Sequence, residues 1–304
     1  MATETDETLL AMNGVQSANQ ARGRGQAWSG RVECGNPQCA RGWLTLLKDR
    51  RRPFFEGRWS CSTACLRAMV RAAVRREAAE EVGIEERRHS HRVPLGLMLL
   101  EQGVVSQAEL QRALERQRQA GSGRIGEWLM RECGVRQEQI MRALGMQWGC
   151  PVLGVAGFDP DRMALTVPRV LVEATGMLPL RTAAGRILYI AFADRPDASA
   201  AFAMERICGL KVESGLVDQA TWTEIHRRLG MASFAETRFE RAADAESMAG
   251  KAAGLLASTQ PRASRLVRVG QLYWLRLWLE MPEGGLPRTR DDVFDSVWTV
   301  GGEQ

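Results

Sequence analysis

Much that would mark this chain as an enzyme or a membrane protein is missing from it. Its 304 residues contain no G-x4-G-K-[S/T] run, so the backbone cradle and lysine that hold nucleotide phosphates in a P-loop are absent. Histidine is scarce, three in all, and no Ser-His-Asp or Cys-His arrangement supplies a nucleophile with its base. These absences predict a protein that is not an enzyme. No apolar run approaches the ~20 residues that cross a bilayer. Residues 1–30 start acidic and continue with Gly, Ala and Gln, without the basic start and apolar core of a signal peptide. The segment reads as a disordered lead-in, and the cytoplasm is the expected location. Disulfides are rare there, so the seven cysteines need another account.

What remains is an ordinary globular composition, 45% hydrophobic and 25% charged, with length for about two domains or three small ones. The net charge of +5 is unevenly spread: between Arg41 and Arg76 ten Lys/Arg stand against Asp49 and Glu56. Such a segment either offers a basic surface to nucleic acid or an acidic partner, or is a solvated face.

Four cysteines fall in two close pairs, Cys34-x4-Cys39 and Cys61-x3-Cys65, with 21 residues between them. A short Cys pair supplies two thiolates from one tight turn, and two such pairs complete a tetrahedral zinc set with no open position for catalysis. Gly35, Asn36 and Pro37 suit a turn, and Cys65 opens a helical pattern starting at Leu66. A segment this small buries little apolar surface, which favours a structural metal over four free thiols. The run from Phe54 through Trp59 to Cys61 and Cys65 resembles treble-clef-like zinc fingers. Cys133, Cys150 and Cys208 are scattered and read as buried thiols. His89 and His91 lie in a charged stretch taken as linker, and His226 has no partner in sequence.

One pattern occurs twice at an offset of thirty residues. Pro94, Leu95, Gly96, Leu99, Gly103, Leu110, Leu114 and Gln117 correspond to Arg124, Ile125, Gly126, Leu129, Cys133, Ile140, Leu144 and Gln147. A fixed period means one supersecondary unit used twice. Each copy reads as a helical hairpin. Ser106 and Glu109 form a capping box before the second helix of copy one, and Leu110, Ala113, Leu114 and Gln117 share a helical face.

The tandem pattern Leu-Gly-x2-Leu-x3-Gly-x6-Leu-x3-Leu-x2-Gln resembles MshEN, the N-terminal domain of type II secretion and type IV pilus assembly ATPases. The resemblance continues through Val167-Pro168, Leu178-Pro179-Leu180, Gly185 to Asp194, and Gly209 to Val212, and so covers about residues 92–230. It implies an α/β lobe after the repeat and secretion or pilus assembly proteins as partners; in that family a P-loop motor follows the domain, and the missing G-x4-G-K-[S/T] run is the reason none is expected here. It also implies cyclic di-GMP as a ligand, with Arg92, Leu95, Gly96, Leu99, Gly103, Gln117, Arg124, Ile125, Gly126, Leu129 and Gln147 as the candidate contacts. A two-fold ligand suits a duplicated half-site: Gly admits phosphate to a helix start, Arg pairs with phosphate or stacks on a base, and Gln reads polar edges. Each copy departs once from the family pattern. Pro94 stands where the family has Arg, with Arg92 two positions earlier, and Cys133 replaces the second Gly.

After residue 230, Phe239–Ser258 reads as an Ala-rich helix. Arg265–Val269 and Leu272–Leu279 read as strands joined at Gly270-Gln271. Trp274, Arg276 and Trp278 would share one face, with Tyr273, Leu275, Leu277 and Leu279 on the other. A strand apolar on both sides must be covered within the chain or by a partner; a homo-oligomer would meet the second case.

The expected architecture is therefore α+β and multidomain: a zinc module over 31–80, a charged linker over 81–91, the repeat over 92–150 with its lobe over 151–230, and a helix with a β-hairpin over 236–300. The expected role is a regulator or adaptor linked to secretion or pilus machinery. A nucleic-acid-binding or transcriptional regulator and a protein-only scaffold are the alternatives.

Overall fold

The computed structural model describes residues 34–40, 53–87, 92–281 and 286–301. The lead-in over 1–30, His89, His91 and the arginines at 50–52 lie outside them. Among the described residues the chain is mixed α+β, with three small sheets.

Phe54–Phe55 (β1) and Arg58–Trp59 (β2) pair antiparallel around a two-residue turn, Glu56 and Gly57, both at positive φ (45° and 80°). The helix Thr63–Arg87 (α1) follows. Leu66, Val70, Ala73 and Val74 are buried along it, the i, i+4, i+7, i+8 stripe of a helix facing a core. The helix runs on through 81–87, where a charged linker was expected. That stretch is rich in Glu, has no proline to stop it, and so carries the helix forward.

The repeat folds as two helical hairpins: Leu95–Glu101 (α2) with Gln107–Ala120 (α3), and Ile125–Cys133 (α4) with Gln137–Trp148 (α5). Their shared core contains Leu95, Leu99, Leu110, Leu129 and Ile140, five of the repeated positions. Ser106 caps α3 through the expected box with Glu109. The two departures from the period are absorbed locally. Pro94 sits at the N-cap of α2, where a missing N–H costs no helical bond. Cys133 stays helical and the next residue, Gly134, takes the left-handed cap at φ 66°, so α4 is longer than α2.

The lobe holds the short helices Pro160–Ala164 (α6) and Arg169–Thr175 (α7), then the hairpin Leu178–Ala183 (β3) and Ile187–Phe192 (β4). Helix Ala198–Cys208 (α8) crosses to Lys211–Leu216 (β5), which pairs parallel with β4, and Gln219–Gly230 (α9) closes the lobe. Val152 adds a parallel bridge to Leu216. Gly215 permits it: a Cβ there would lie 2.4 Å from Leu153 Cγ and 2.7 Å from the Pro151 carbonyl.

The C-terminal region departs from expectation. The stretch Phe239–Ser258 is not one helix: Glu236–Ala242 is a strand (β6), and the helix (α10) spans Ala245–Thr259. Asp244 accepts the Ser247 N–H at 2.6 Å and sets that start, and β6 reads weakly because exposed Glu and Arg alternate along it. The expected hairpin is present as Ala263–Val269 (β7) and Leu272–Trp278 (β8), turning at Gly270 (φ 56°). A further strand, Val293–Val300 (β9), lies between β8 and β6, so the sheet order is β6-β9-β8-β7. Every residue of β8 is buried. Trp274 and Trp278 pack into the core shared with the lobe, while Tyr273, Leu275 and Leu277 pack with α1 and α10. The chain itself covers both faces of this strand.

Candidate functional site

The four cysteines of the two pairs converge. Their sulfur atoms all lie within 4.8 Å of one another, with Cys39 and Cys65 each 3.5 Å from Cys61. Zn–S bonds of about 2.3 Å in a tetrahedron place sulfurs about 3.8 Å apart, so the arrangement fits one zinc ion. Each element contributes for a local reason. The loop 34–39 turns because Asn36 O accepts the Cys39 N–H at 3.0 Å, and it docks on the hairpin where Gly35 N–H donates to Trp59 O at 2.7 Å. Gly35 leaves no room for a side chain: a Cβ would lie 2.6 Å from Arg58 Cβ and 2.7 Å from Met69 Cε. The hairpin is braced by Phe54 and Trp59, edge to face at 5.0 Å, and delivers Cys61. Cys65 sits in the first turn of α1, where Ser62 Oγ accepts its N–H at 3.2 Å.

The thiols have unequal proton affinities. Burial, then the neighbouring thiols, push Cys61 up to about 12. At Cys65 burial acts in the same direction, but hydrogen bonds led by Asn36 Nδ2, 3.4 Å from its sulfur, outweigh it and bring the thiol down to about 7. A donor aimed at a sulfur is what a metal-bound thiolate calls for. The remaining cysteines are less exposed to such chemistry. Cys208 is buried, and burial raises it to about 11; Cys133 and Cys150 are half-buried and raised chiefly by burial.

The repeated residues divide into two groups. Leu99 and Leu129 are fully buried, Leu95 is nearly so, and all three belong to the hairpin core. The bare faces of Gly96 and Gly126 meet Leu110 and Ile140, the same pair of repeat positions, at 2.6 and 3.1 Å from an added Cβ. These glycines thus serve helix packing. Gln117 Nε2 donates to Gly123 O at 2.9 Å, and Gln147 Nε2 donates to Val93 O at 2.7 Å. Arg92, Gly103 and Arg124 are exposed and Ile125 is half-exposed. Arg92 stacks 3.9 Å over the Trp148 ring. Arg124 heads α4 and is ion-paired with Asp194, just past β4. The two repeated glutamines and both arginines therefore already have protein partners, and Arg124 presents its guanidinium at the junction of repeat and lobe.

Sequence reading did not single out three further features. A groove of about 690 Å³ runs between α5 and the Cys150–Val152 segment, lined by Met141, Met146, Arg142 and Asp218 among others. Arg276 and Asp295 form a buried bidentate pair at 2.8 and 2.7 Å, extended by Trp274 Nε1 to Asp295 (2.7 Å) and by Arg276 to Thr166 O (2.9 Å). Burial opposes the charge on Arg276, and the Asp295 carboxylate outweighs it and holds the guanidinium protonated. Finally, Glu77 is buried and salt-bridged to Arg76 (2.7 Å) and Arg206 (2.8 Å), joining α1 to α8. The cross-strand register of Arg276 and Asp295 could have flagged their pair, but only once β9 was known. His226 stacks on Trp222 at 4.7 Å and is not part of the four-cysteine group.

No protein-family model matches the chain, and no curated protein matches it. Solved structures are similar to part of it, among them the following two. A structure of MshE with cdg shares 26% identity at a TM-score of 0.35, over 45% of this chain and 99% of that one. The N-terminal domain of XpsE shares 18% identity at a TM-score of 0.25, over 44% of this chain and 91% of that one.

Proposed function

We propose that this protein is a non-enzymatic regulator or adaptor whose tandem helical repeat binds cyclic di-GMP and which acts in the cytoplasm with secretion or pilus assembly proteins. The observation that carries the reading is the repeat: two hairpins with equivalent cores and equivalent glutamine clasps, and an exposed Arg124 at the start of α4. Backbone N–H groups at a helix start and a guanidinium beside them suit a phosphate; here a phosphate would compete with Asp194 for the Arg124 guanidinium and with the Glu127 carboxylate, which accepts the Arg124 N–H at 3.3 Å. The likeness to MshE with cdg agrees with the sequence resemblance in the ligand it suggests. Copy one lacks the matching arginine, so the two half-sites are unequal, and Arg92, two residues before Pro94, is the cation nearest to it in sequence. Among the described residues no helix is long and apolar enough to cross a membrane.

The same reading assigns a structural zinc to Cys34, Cys39, Cys61 and Cys65, where the metal supplies cross-linking and no chemistry. The nucleic-acid alternative finds less support, because three arginines of the basic segment, Arg67, Arg71 and Arg76, are paired with Glu246, Glu56 and Glu77. Calorimetric titration of the purified chain with cyclic di-GMP tests the ligand, and elemental analysis tests the metal. Saturable binding and one zinc per chain are the expected results.

A further inference from the structure

Two segments far apart in sequence, 53–79 and 242–300, meet. Residues of α1 share one hydrophobic core with α10, β7, β8 and β9, including Leu66, Val70, Met248, Leu256, Leu275 and Trp298. The facing stripe of α10 is mostly alanine (Ala249, Ala252, Ala253), and small side chains let two helices approach closely. Arg67 and Arg71 both pair with Glu246 at the head of α10.

The β1–β2 hairpin reaches the same sheet. Glu56 Oε1 accepts the Leu266 N–H at 3.2 Å, and Glu56 N–H donates to Ser264 Oγ at 3.4 Å. An exposed sheet edge carries unpaired backbone groups, and β7 is the edge of this sheet, so the turn acts as its cover. Glu56 sits at φ 45°, a conformation that a non-glycine residue holds only when its surroundings fix it. Arg76 supplies part of that fixing through two hydrogen bonds to the carboxylate at 2.9 and 3.0 Å.

We propose that the four-cysteine metal centre is the clamp of one discontinuous domain, built from residues 34–40 and 53–87 and from strands β6 to β9 with α10, into which the repeat and lobe are inserted. This rests on the reading that the four cysteines bind a metal. The hairpin has two residues per strand, too few to hold itself together in water. Cys61 lies two residues past it and Cys65 is in the first turn of α1, so a metal on both fixes the hairpin against the helix. Through Glu56 it then fixes the edge of a sheet made from chain some 200 residues later. The inserted unit leaves from the end of α1 and returns at β6, so both its ends are anchored on the clamped domain. Further ties join the two at Arg206–Glu77 and at Gly270 N–H to Ser199 Oγ, 3.4 Å.

Hydrogen exchange on the full chain, with metal content measured in the same samples, tests this. Chelation under reducing conditions should lower protection in β7 and α10 at least tenfold, while α2 to α5 keep theirs. Metal loss with β7 and α10 unchanged would overturn the clamp and leave the metal reading intact. A folded, reduced protein that contains no metal and takes up no added zinc would overturn the metal reading itself. The variant Glu56→Gly removes the carboxylate and relieves the positive φ. It should retain its metal yet exchange the Leu266 amide at least tenfold faster; an unchanged Leu266 rate would contradict the hairpin's role as the cover of β7.

Discussion

Gln147 donates its side-chain amide to the carbonyl of Val93 at 2.7 Å, and thirty residues earlier Gln117 does the same to Gly123 at 2.9 Å. Val93 and Gly123 are themselves thirty residues apart, each directly before its copy of the repeat. The copies are therefore clasped reciprocally, the last helix of each holding the entry of the other. A Gln at this position is explained by the fold before any ligand is considered.

Replacing Gln147 with Ala should cost about 1 kcal/mol, the net worth of one side-chain hydrogen bond. Gln117→Ala should cost a similar amount. Urea denaturation of the two single variants measures both. A loss at only one of the two sites would contradict the reciprocal clasp.

The repeat was legible because its signal is local and duplicated. Leu99 and Leu129, or Leu110 and Ile140, declare their core positions by spacing alone, and Ser106 with Glu109 marks a helix start by chemistry. The four cysteines were legible because metal ligation needs few residue types. Of the C-terminal sheet the β7–β8 hairpin was legible too, but β6 and β9 were not, since β9 pairs with β6 and β8 across long separations and β6 carries Glu and Arg without an apolar face. Arg276 reads as one polar residue on an aromatic strand until Asp295 is placed opposite it. The partnership of α1 with α10 leaves no local mark in either segment.

Breaking the buried pair should be among the most damaging single changes. Arg276→Met leaves Asp295 as a buried, uncompensated charge and should cost about 3–5 kcal/mol. Adding Asp295→Asn removes that charge and should restore part of the loss. Chemical denaturation of the single and double variants decides it, and a double variant no more stable than Arg276→Met would contradict this account.

Gly35→Ala should disturb the metal centre without removing a ligand. The new methyl would meet Arg58 Cβ and Met69 Cε below 3 Å, displacing the loop that carries Cys34 and Cys39. Zinc affinity, measured by competition with a chromophoric chelator, should fall about ten- to a hundredfold, the usual range for changes around the ligands. Unaltered affinity would mean that the loop position is not coupled to the metal.

Acid should loosen the repeat at one identifiable point. Hydrogen bonds from Ser106, its backbone N–H first, hold the Glu109 carboxyl below the usual glutamate value. A group lowered in the folded state contributes stability that is full above its unfolded value near 4.3 and is lost as pH falls through the folded one. The α3 amides should therefore lose protection on acidification below about pH 4.3. Glu109→Gln should remove that part of the dependence, and an unchanged pH profile in the variant would contradict it.

The central claim is that the duplicated hairpins bind cyclic di-GMP with Arg124 as their phosphate contact. Isothermal titration of the full chain with cyclic di-GMP, for the unmodified protein and for Arg124→Ala, tests it most directly. Saturable binding to the unmodified protein, weakened about tenfold or more in a variant with unchanged thermal stability, is the predicted result; loss of a charge-assisted hydrogen bond is worth at least that much. No binding heat at high ligand concentration, or equal affinity for both proteins, would contradict it.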